Sequence, residues 1–123
     1  MARKQRQRKR PPHILMTTPE SLALMLSHPD AAKTFADLAC VVIDEVHALA
    51  GTKRGDLLAL GLARLHVLAP RARRVGLSAT VPYPNEIADY VARGARIIYG
   101  TPRKPPRITI QESAGRLPWS GHM

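Results

Sequence analysis

Residues 41–47 read VVIDEVH, a β-branched apolar run that ends directly in two carboxylates and, two positions later, a histidine. Three consecutive β-branched residues, Val41, Val42 and Ile43, favour a strand that is covered on both faces, as in a parallel sheet. Asp44 and Glu45 then fall at the carboxyl end of that strand, where parallel sheets gather their chemistry. The stretch predicts an α/β fold with a polar site at a strand end.

The sequence on either side continues this alternation of strands and helices. The predicted strands are HILMTT (13–18), ACVVIDE (39–45), RRVGLSAT (73–80) and ARIIYG (95–100). The predicted helices are PESLALMLS (19–27), GDLLALGLARLHVLA (55–69) and PNEIADYVARG (84–94). Thr18 suits the N-cap of the first helix and Pro19 its first position, while Pro70 closes the second helix. Such alternation predicts an open parallel sheet with flanking helices.

Composition limits the class of protein. The 123 residues are 45% hydrophobic, mean hydropathy is −0.17, and no apolar stretch approaches the roughly 20 residues of a membrane span. The single Cys40 cannot form a disulfide within the chain, and no signal peptide opens the sequence. These features argue against a membrane protein or a disulfide scaffold and predict a cytoplasmic location.

Basic charge is concentrated at the start of the chain. The net charge is +10, and the opening ten residues hold six basic side chains and no acid. This basic arm consists of Arg3, Lys4, Arg6, Arg8, Lys9 and Arg10. It is typical of a segment that contacts nucleic-acid phosphates, although a solvated segment that only aids solubility would have the same composition.

Three polar clusters follow predicted strands: TTPES at 17–21, DEVH at 44–47 and SAT at 78–80. Because the carboxyl ends of parallel strands share one edge of the sheet, the three clusters predict one shared cleft. In such a cleft, Asp44 could supply an oxygen ligand for Mg²⁺ and Glu45 could orient an attacking water. Both can act together only if the backbone turns out of the strand, because successive strand residues point to opposite faces.

The DEVH residues are also compatible with two different roles. Asp44 could simply cap a following turn, with His47 an ordinary polar loop residue. A zinc site is the second alternative, and the sequence favours it less because it contains neither an H-E-x-x-H pattern nor paired cysteines.

The motifs TTPES, VVIDEVHAL and VGLSATV, in this order and spacing, resemble motifs Ib, II and III of superfamily-two DExH-box helicases. GTKRGDLLALGLARL at 51–65 and RLPWSGHM at 116–123 make the chain similar to the Lhr-like group, most of all to bacterial ligase-associated DEXH-box DNA helicases. The resemblance implies a RecA-like domain of an ATP-dependent DNA helicase, with Mg²⁺ and ATP as cofactor and substrate. It also implies a role in DNA repair beside a DNA ligase and a nuclease-type partner.

The resemblance assigns a role to each motif. Asp44 would coordinate Mg²⁺ through water, Glu45 would act as the catalytic base, and His47 would link the nucleotide to a second motor domain. The SAT residues Ser78, Ala79 and Thr80 would couple hydrolysis to strand separation by hydrogen bonding to the 44–47 turn. The residues expected to contact nucleic acid are Thr17, Thr18, Pro19, Glu20, Arg8 and Arg10.

A phosphate-binding G-x-x-x-x-G-K-[ST] loop occurs nowhere in the 123 residues. GTKRG at 51–55 is not one, because it lacks the first glycine at the required spacing and follows the motif II stretch. The expected organisation is a basic segment at 1–10, the C-terminal half of a first motor domain at 11–104, and the start of a linker or second motor domain at 105–123. Half a sheet should leave an apolar sheet edge and uncovered helix faces, which favour aggregation. The chain alone is expected to be inactive as an ATPase. The alternative is a non-catalytic nucleic-acid-binding remnant.

Overall fold

The computed structural model describes residues 10–79 and 81–110. Its elements, in chain order, are α1 (Pro19–Ser27), α2 (Ala31–Phe35), β1 (Cys40–Ile43), α3 (Val46–Leu49), α4 (Lys53–Leu68), β2 (Arg73–Gly76) and α5 (Pro84–Val91). All three predicted helices are present within a few residues of their expected bounds. The short helices α2 and α3 were not predicted, since five and four residues are too few to show a helical period.

Two helix starts are determined by local chemistry. The Thr18 side chain accepts a hydrogen bond from the Ser21 amide at 3.2 Å, so the predicted N-cap of α1 is confirmed. Thr52 does the same for α4, accepting from the Gly55 amide at 3.0 Å. Each bond satisfies an amide that has no partner within its helix.

The sheet in the described part of the chain has two parallel strands, β1 and β2, with Val42 opposite Val75 and Ile43 opposite Gly76. The predicted strands at 13–18 and 95–100 are wrong, because neither segment is assigned as a strand. Ile14 is 84% exposed and Ile98 is 78% exposed. A strand requires a hydrogen-bonded neighbour, and no ladder within the described residues reaches these apolar segments.

The core lies between one face of this sheet and the helices. Its buried hydrophobic members are Leu22, Ala31, Phe35, Ile43, Val46, Leu58, Leu62, Leu65 and Val91. Helix α1 packs along α4, and an added Cβ on Gly61 would lie 3.2 Å from Leu22 Cδ2. Glycine at this position therefore lets the two helices approach closely.

The prediction that β1 is covered on both faces is wrong for the described residues. Ile43 is 4% exposed, whereas Val42, which points to the other face, is 58% exposed. Its register partner Val75 is also accessible, at 36%. Half a sheet was expected to leave an apolar edge and uncovered helix faces, whereas Val42 and Val75 expose an apolar patch on a face of the sheet.

Helices α4 and α5 are joined to β2 by one arginine. The Arg74 guanidinium donates to the Leu62 carbonyl at 2.9 Å and to the Val91 carbonyl at 3.3 Å. Next to it, Gly76 packs so closely on α5 that an added Cβ would lie 2.6 Å from Val91 Cγ2. These contacts hold the carboxyl end of β2 in place.

None of the helices in the described part of the chain combines the length and hydropathy that a membrane crossing requires.

Candidate functional site

The carboxyl ends of β1 and β2 are joined by backbone hydrogen bonds just beyond the strands. The Leu77 amide donates to the Ile43 carbonyl at 2.9 Å, and the Val46 amide donates to the Leu77 carbonyl at 3.0 Å. Between these bonds the chain turns sharply, with Glu45 in the left-handed region at φ 51°. A residue other than glycine adopts this conformation at a cost of about 1–3 kcal/mol. Backbone strain of this kind is common at functional sites, so Glu45 is a candidate functional residue.

Asp44 and Glu45 can act together only if the backbone turns out of the strand direction, and this left-handed turn provides that change of direction. The chain leaves the strand direction after Ile43, and α3 begins immediately after Glu45. Both Asp44 and Glu45 are exposed. We call residues 44–47 the carboxylate turn.

His47 connects the two strand ends through both of its ring nitrogens. Nε2 lies 3.1 Å from Glu45 Oε2, and Nδ1 lies 2.7 Å from Ser78 Oγ. The first is a contact between an imidazole nitrogen and a carboxylate oxygen. The second is a hydrogen bond in which the imidazole tautomer decides whether His47 or Ser78 donates. The imidazole therefore links the Glu45 carboxylate to Ser78, which lies in the segment that follows β2.

Asp44 retains the capacity to bind a cation. Its Oδ1 accepts a hydrogen bond from the Glu45 amide at 2.9 Å, which fixes the orientation of the carboxylate. A carboxylate has two oxygens, so Oδ2 can still serve a hydrated divalent ion. The exposed Asp44 carboxylate therefore has the chemistry of an outer-shell ligand for Mg²⁺.

The TTPES segment is held by helix α4 rather than by the carboxylate turn. Glu20, in the first turn of α1, accepts from Arg54 through both of its oxygens, at 2.6 Å from Nε and 3.1 Å from Nη2. The Arg54 guanidinium, together with a backbone hydrogen bond, lowers the pKa of Glu20 to about 2. The hydrogen bond to Glu20 in turn raises the pKa of Arg54. Glu20 is therefore ionised and already paired with a cation.

The predicted site residues separate into two groups in the structure. The hydrogen bond between His47 and Ser78 and the 3.1 Å contact between His47 and Glu45 bring these three residues together. Asp44 lies beside them, and the exposed Ala79 is one residue further on. A second group, at the start of α1, consists of Thr17, Thr18, Pro19 and Glu20, and the described Arg10 is exposed. Arg8 and Thr80 lie outside the described residues.

Three residues around the start of α4 were missed by the sequence argument. Arg54 pairs with Glu20, the buried Gly55 packs on the end of α3, and the Tyr90 hydroxyl donates to the Gly55 carbonyl at 2.5 Å. Burial is the main cause of the raised pKa of Tyr90, with a smaller effect from Asp56. The only sequence signal was GTKRG, in which a glycine occupies the first turn of a helix without serving as a cap.

Comparison with known proteins gives the family. The family model of DEAD/DEAH box helicases matches residues 1–90. The chain is 50% identical over 88 residues to the ATP-dependent helicase Lhr-Core protein 2 of Thermococcus barophilus, covering 72% of this chain and 10% of that protein. It is 46% identical over 103 residues to the Lhr helicase/uracil glycosylase of Escherichia coli, covering 81% of this chain and 7% of that protein.

A solved structure agrees with these matches. The helicase Lhr of Mycobacterium smegmatis, bound to ssDNA and AMP-PNP, superposes with a TM-score of 0.71 at 46% identity, covering 77% of this chain and 12% of that one. The predicted α/β fold and the similarity to Lhr-like helicases are thereby confirmed. The chain spans only about a tenth of the length of these relatives.

Proposed function

The chain belongs to the DEAD/DEAH box helicase family, and from this premise we propose that it forms part of an ATP-dependent DNA helicase motor. In this proposal residues 11–104 are the C-terminal half of the first motor domain, residues 1–10 a basic DNA-contacting segment, and residues 105–123 the start of the linker or second domain. The observation that carries the proposal is the Glu45–His47–Ser78 connection across the carboxyl ends of two parallel strands.

Each member of the carboxylate turn has a distinct task in this proposal. Asp44 orients the hydration shell of Mg²⁺, and the Glu45 carboxylate accepts a proton from the attacking water. The Mg²⁺–ATP complex, when bound, supplies the phosphoryl group and neutralises its developing charge. His47 holds the Glu45 carboxylate and relates its position to Ser78, so that movement after β2 can follow the state of the nucleotide.

The DNA contact is assigned to the start of α1 and to the basic arm. Amides in the first turn of a helix favour an anion such as a phosphate, and Thr17 and Thr18 place polar side chains beside them. Arg8 and Arg10 would add phosphate contacts that carry no base specificity. The ssDNA bound to the related Lhr helicase supports DNA as the ligand.

The isolated 123-residue chain should not hydrolyse ATP, because the sequence contains no phosphate-cradling loop. An assay of the purified chain with Mg²⁺–ATP and ssDNA is expected to give no phosphate release above background. DNA-stimulated turnover by this chain would contradict the assignment. The same missing loop keeps a non-catalytic nucleic-acid-binding role as the second candidate.

A chimera separates the two candidates. The segment of the Mycobacterium smegmatis helicase Lhr that aligns with this chain is replaced by the residues of this chain, and DNA-stimulated ATP hydrolysis is measured. Turnover that depends on Glu45 supports the motor function. A folded chimera that binds ssDNA and nucleotide without hydrolysing ATP would favour the non-catalytic candidate.

We further infer a cytoplasmic role in DNA repair, beside a DNA ligase and a nuclease-type protein. The support is the similarity of residues 51–65 and 116–123 to ligase-associated helicases. Co-purification from cells that carry a tagged chimera, with and without DNA damage, tests this part of the proposal. Recovery of neither class of partner would remove it and leave the motor function unaffected.

A further inference from the structure

Arg54 and Glu20 form a two-pronged ion pair between the first turns of α4 and α1. Nε and Nη2 of the guanidinium meet Oε1 and Oε2 of the carboxylate at 2.6 and 3.1 Å. This fork geometry fixes the orientation of both groups as well as their distance. The two side chains are 57% and 51% exposed, so the pair adds little to stability. Its main effect is to align two helix starts that lie 34 residues apart.

The neighbours of Arg54 in the chain, Thr52 and Gly55, are fixed to the end of helix α3. The Thr52 hydroxyl donates to the Leu49 carbonyl at 2.6 Å while accepting from the Gly55 amide at 3.0 Å. An added Cβ on Gly55 would lie 1.9 Å from the Leu49 carbonyl oxygen, so only glycine permits this approach. Helix α3 begins directly after Glu45. A continuous path of contacts therefore runs from the carboxylate turn to Arg54.

We propose that Arg54 is a positioning residue that transmits the position of the carboxylate turn to the start of α1 by holding Glu20. The inference rests on the proposed function, which places the nucleotide at the carboxylate turn and DNA at the start of α1. Arg54 itself contacts no DNA in this scheme. Movement of α3 shifts the first turn of α4, and the rigid fork carries that shift to α1.

Binding of a fluorescent single-stranded oligonucleotide by the 123-residue chain, measured by anisotropy across several salt concentrations, tests this inference. Arg54→Ala should lower the affinity by about two- to fivefold, the range that an exposed ion pair supplies. The slope of log affinity against log salt should stay unchanged, because no phosphate contact is lost. Arg54→Lys keeps the charge without the fork and should show a similar loss.

Glu20→Gln separates positioning from simple electrostatics. Removing a negative charge near a bound phosphate would by itself strengthen DNA binding. If Glu20 acts by anchoring Arg54, the same substitution should instead weaken binding, and Arg54→Ala should add nothing further in the double variant. Thermal denaturation shows whether Arg54→Ala impairs folding. If it does, the single variant Glu20→Gln still tests the inference.

The matched control is Arg64→Ala, which removes one exposed positive charge from the same helix about 15 Å along its axis. Its DNA affinity should stay within about 1.5-fold of that of the unsubstituted chain, a difference of about 0.2 kcal/mol. Unaltered binding by Arg54→Ala, or tighter binding by Glu20→Gln, would overturn the inference. A salt slope reduced by about 0.7 in Arg54→Ala would make Arg54 a direct phosphate ligand instead. Absence of DNA binding by the unsubstituted chain would refute the DNA assignment itself, and the positioning role with it.

Discussion

Replacing Gly55 by alanine should destabilise the chain far more than the same replacement at Gly61, although both glycines are buried in helix α4. At residue 55 the new Cβ would lie 1.9 Å from the Leu49 carbonyl oxygen. Real Cβ atoms essentially never approach another atom to within 3.0 Å, so the start of α4 and the Leu49 carbonyl must move apart by about 1.1 Å or more. The obstacle is backbone and cannot rotate away.

The magnitude follows from what each neighbour can do. Overpacking against fixed backbone costs about 1–3 kcal/mol, and Gly55→Ala should lie near the upper end of that range. At Gly61 the Cβ would meet Leu22 Cδ2 at 3.2 Å, the end of a side chain that can shift by a few tenths of an ångström. Alanine gains about 1 kcal/mol of helix propensity over glycine in a helix interior. The net change at Gly61 should therefore be about 0 ± 1 kcal/mol.

Urea denaturation followed by circular dichroism measures both variants against the unsubstituted chain. A difference of about 2–3 kcal/mol between the two alanine variants corresponds to roughly 10–20 °C in melting temperature for a domain of this size. Equal stability of Gly55→Ala and Gly61→Ala would refute the close approach of α4 to Leu49. It would also remove the path of contacts on which the role of Arg54 depends.

Three further predictions concern the proposed site. In the chimera, Glu45→Gln should lower ATP hydrolysis by about 10²-fold or more while nucleotide binding persists; equal loss of binding and turnover would mark Glu45 as structural. In the basic arm, the double substitution Arg8→Ala/Arg10→Ala should reduce the slope of log DNA affinity against log salt by about 1.4 for single strands or about 1.8 for duplex. Equal slopes for the double variant and the unsubstituted chain would contradict a DNA contact by these residues. The pKa of Glu20 is lowered from 4.5 to about 2. Its contribution to folding, which is small because the pair is exposed, is therefore complete above pH 4.5 and is lost as the pH falls toward 2. The stability advantage over Glu20→Gln in urea titrations should shrink across that interval, and an advantage independent of pH would contradict the ion pair.

The sequence by itself determined the features that depend on neighbouring residues. Thr18 with Pro19 predicted the start of α1, and the leucine-rich period predicted α4. The β-branched run at 41–43 predicted β1 and placed two carboxylates at its end. Helix caps, side-chain periodicity and strand preference all act within a few residues, so they can be read along the chain.

Only the tertiary structure decided which apolar segments become strands and how the site is held. HILMTT and ARIIYG have the composition of strands, but a strand exists only where a neighbouring chain segment accepts its hydrogen bonds. The left-handed turn at Glu45, the bond from His47 to Ser78 across 31 residues and the ion pair from Arg54 to Glu20 across 34 residues have no local signature. They arise because packing of α1, α4 and β2 brings distant segments to fixed distances, and sequence spacing carries no information about those distances.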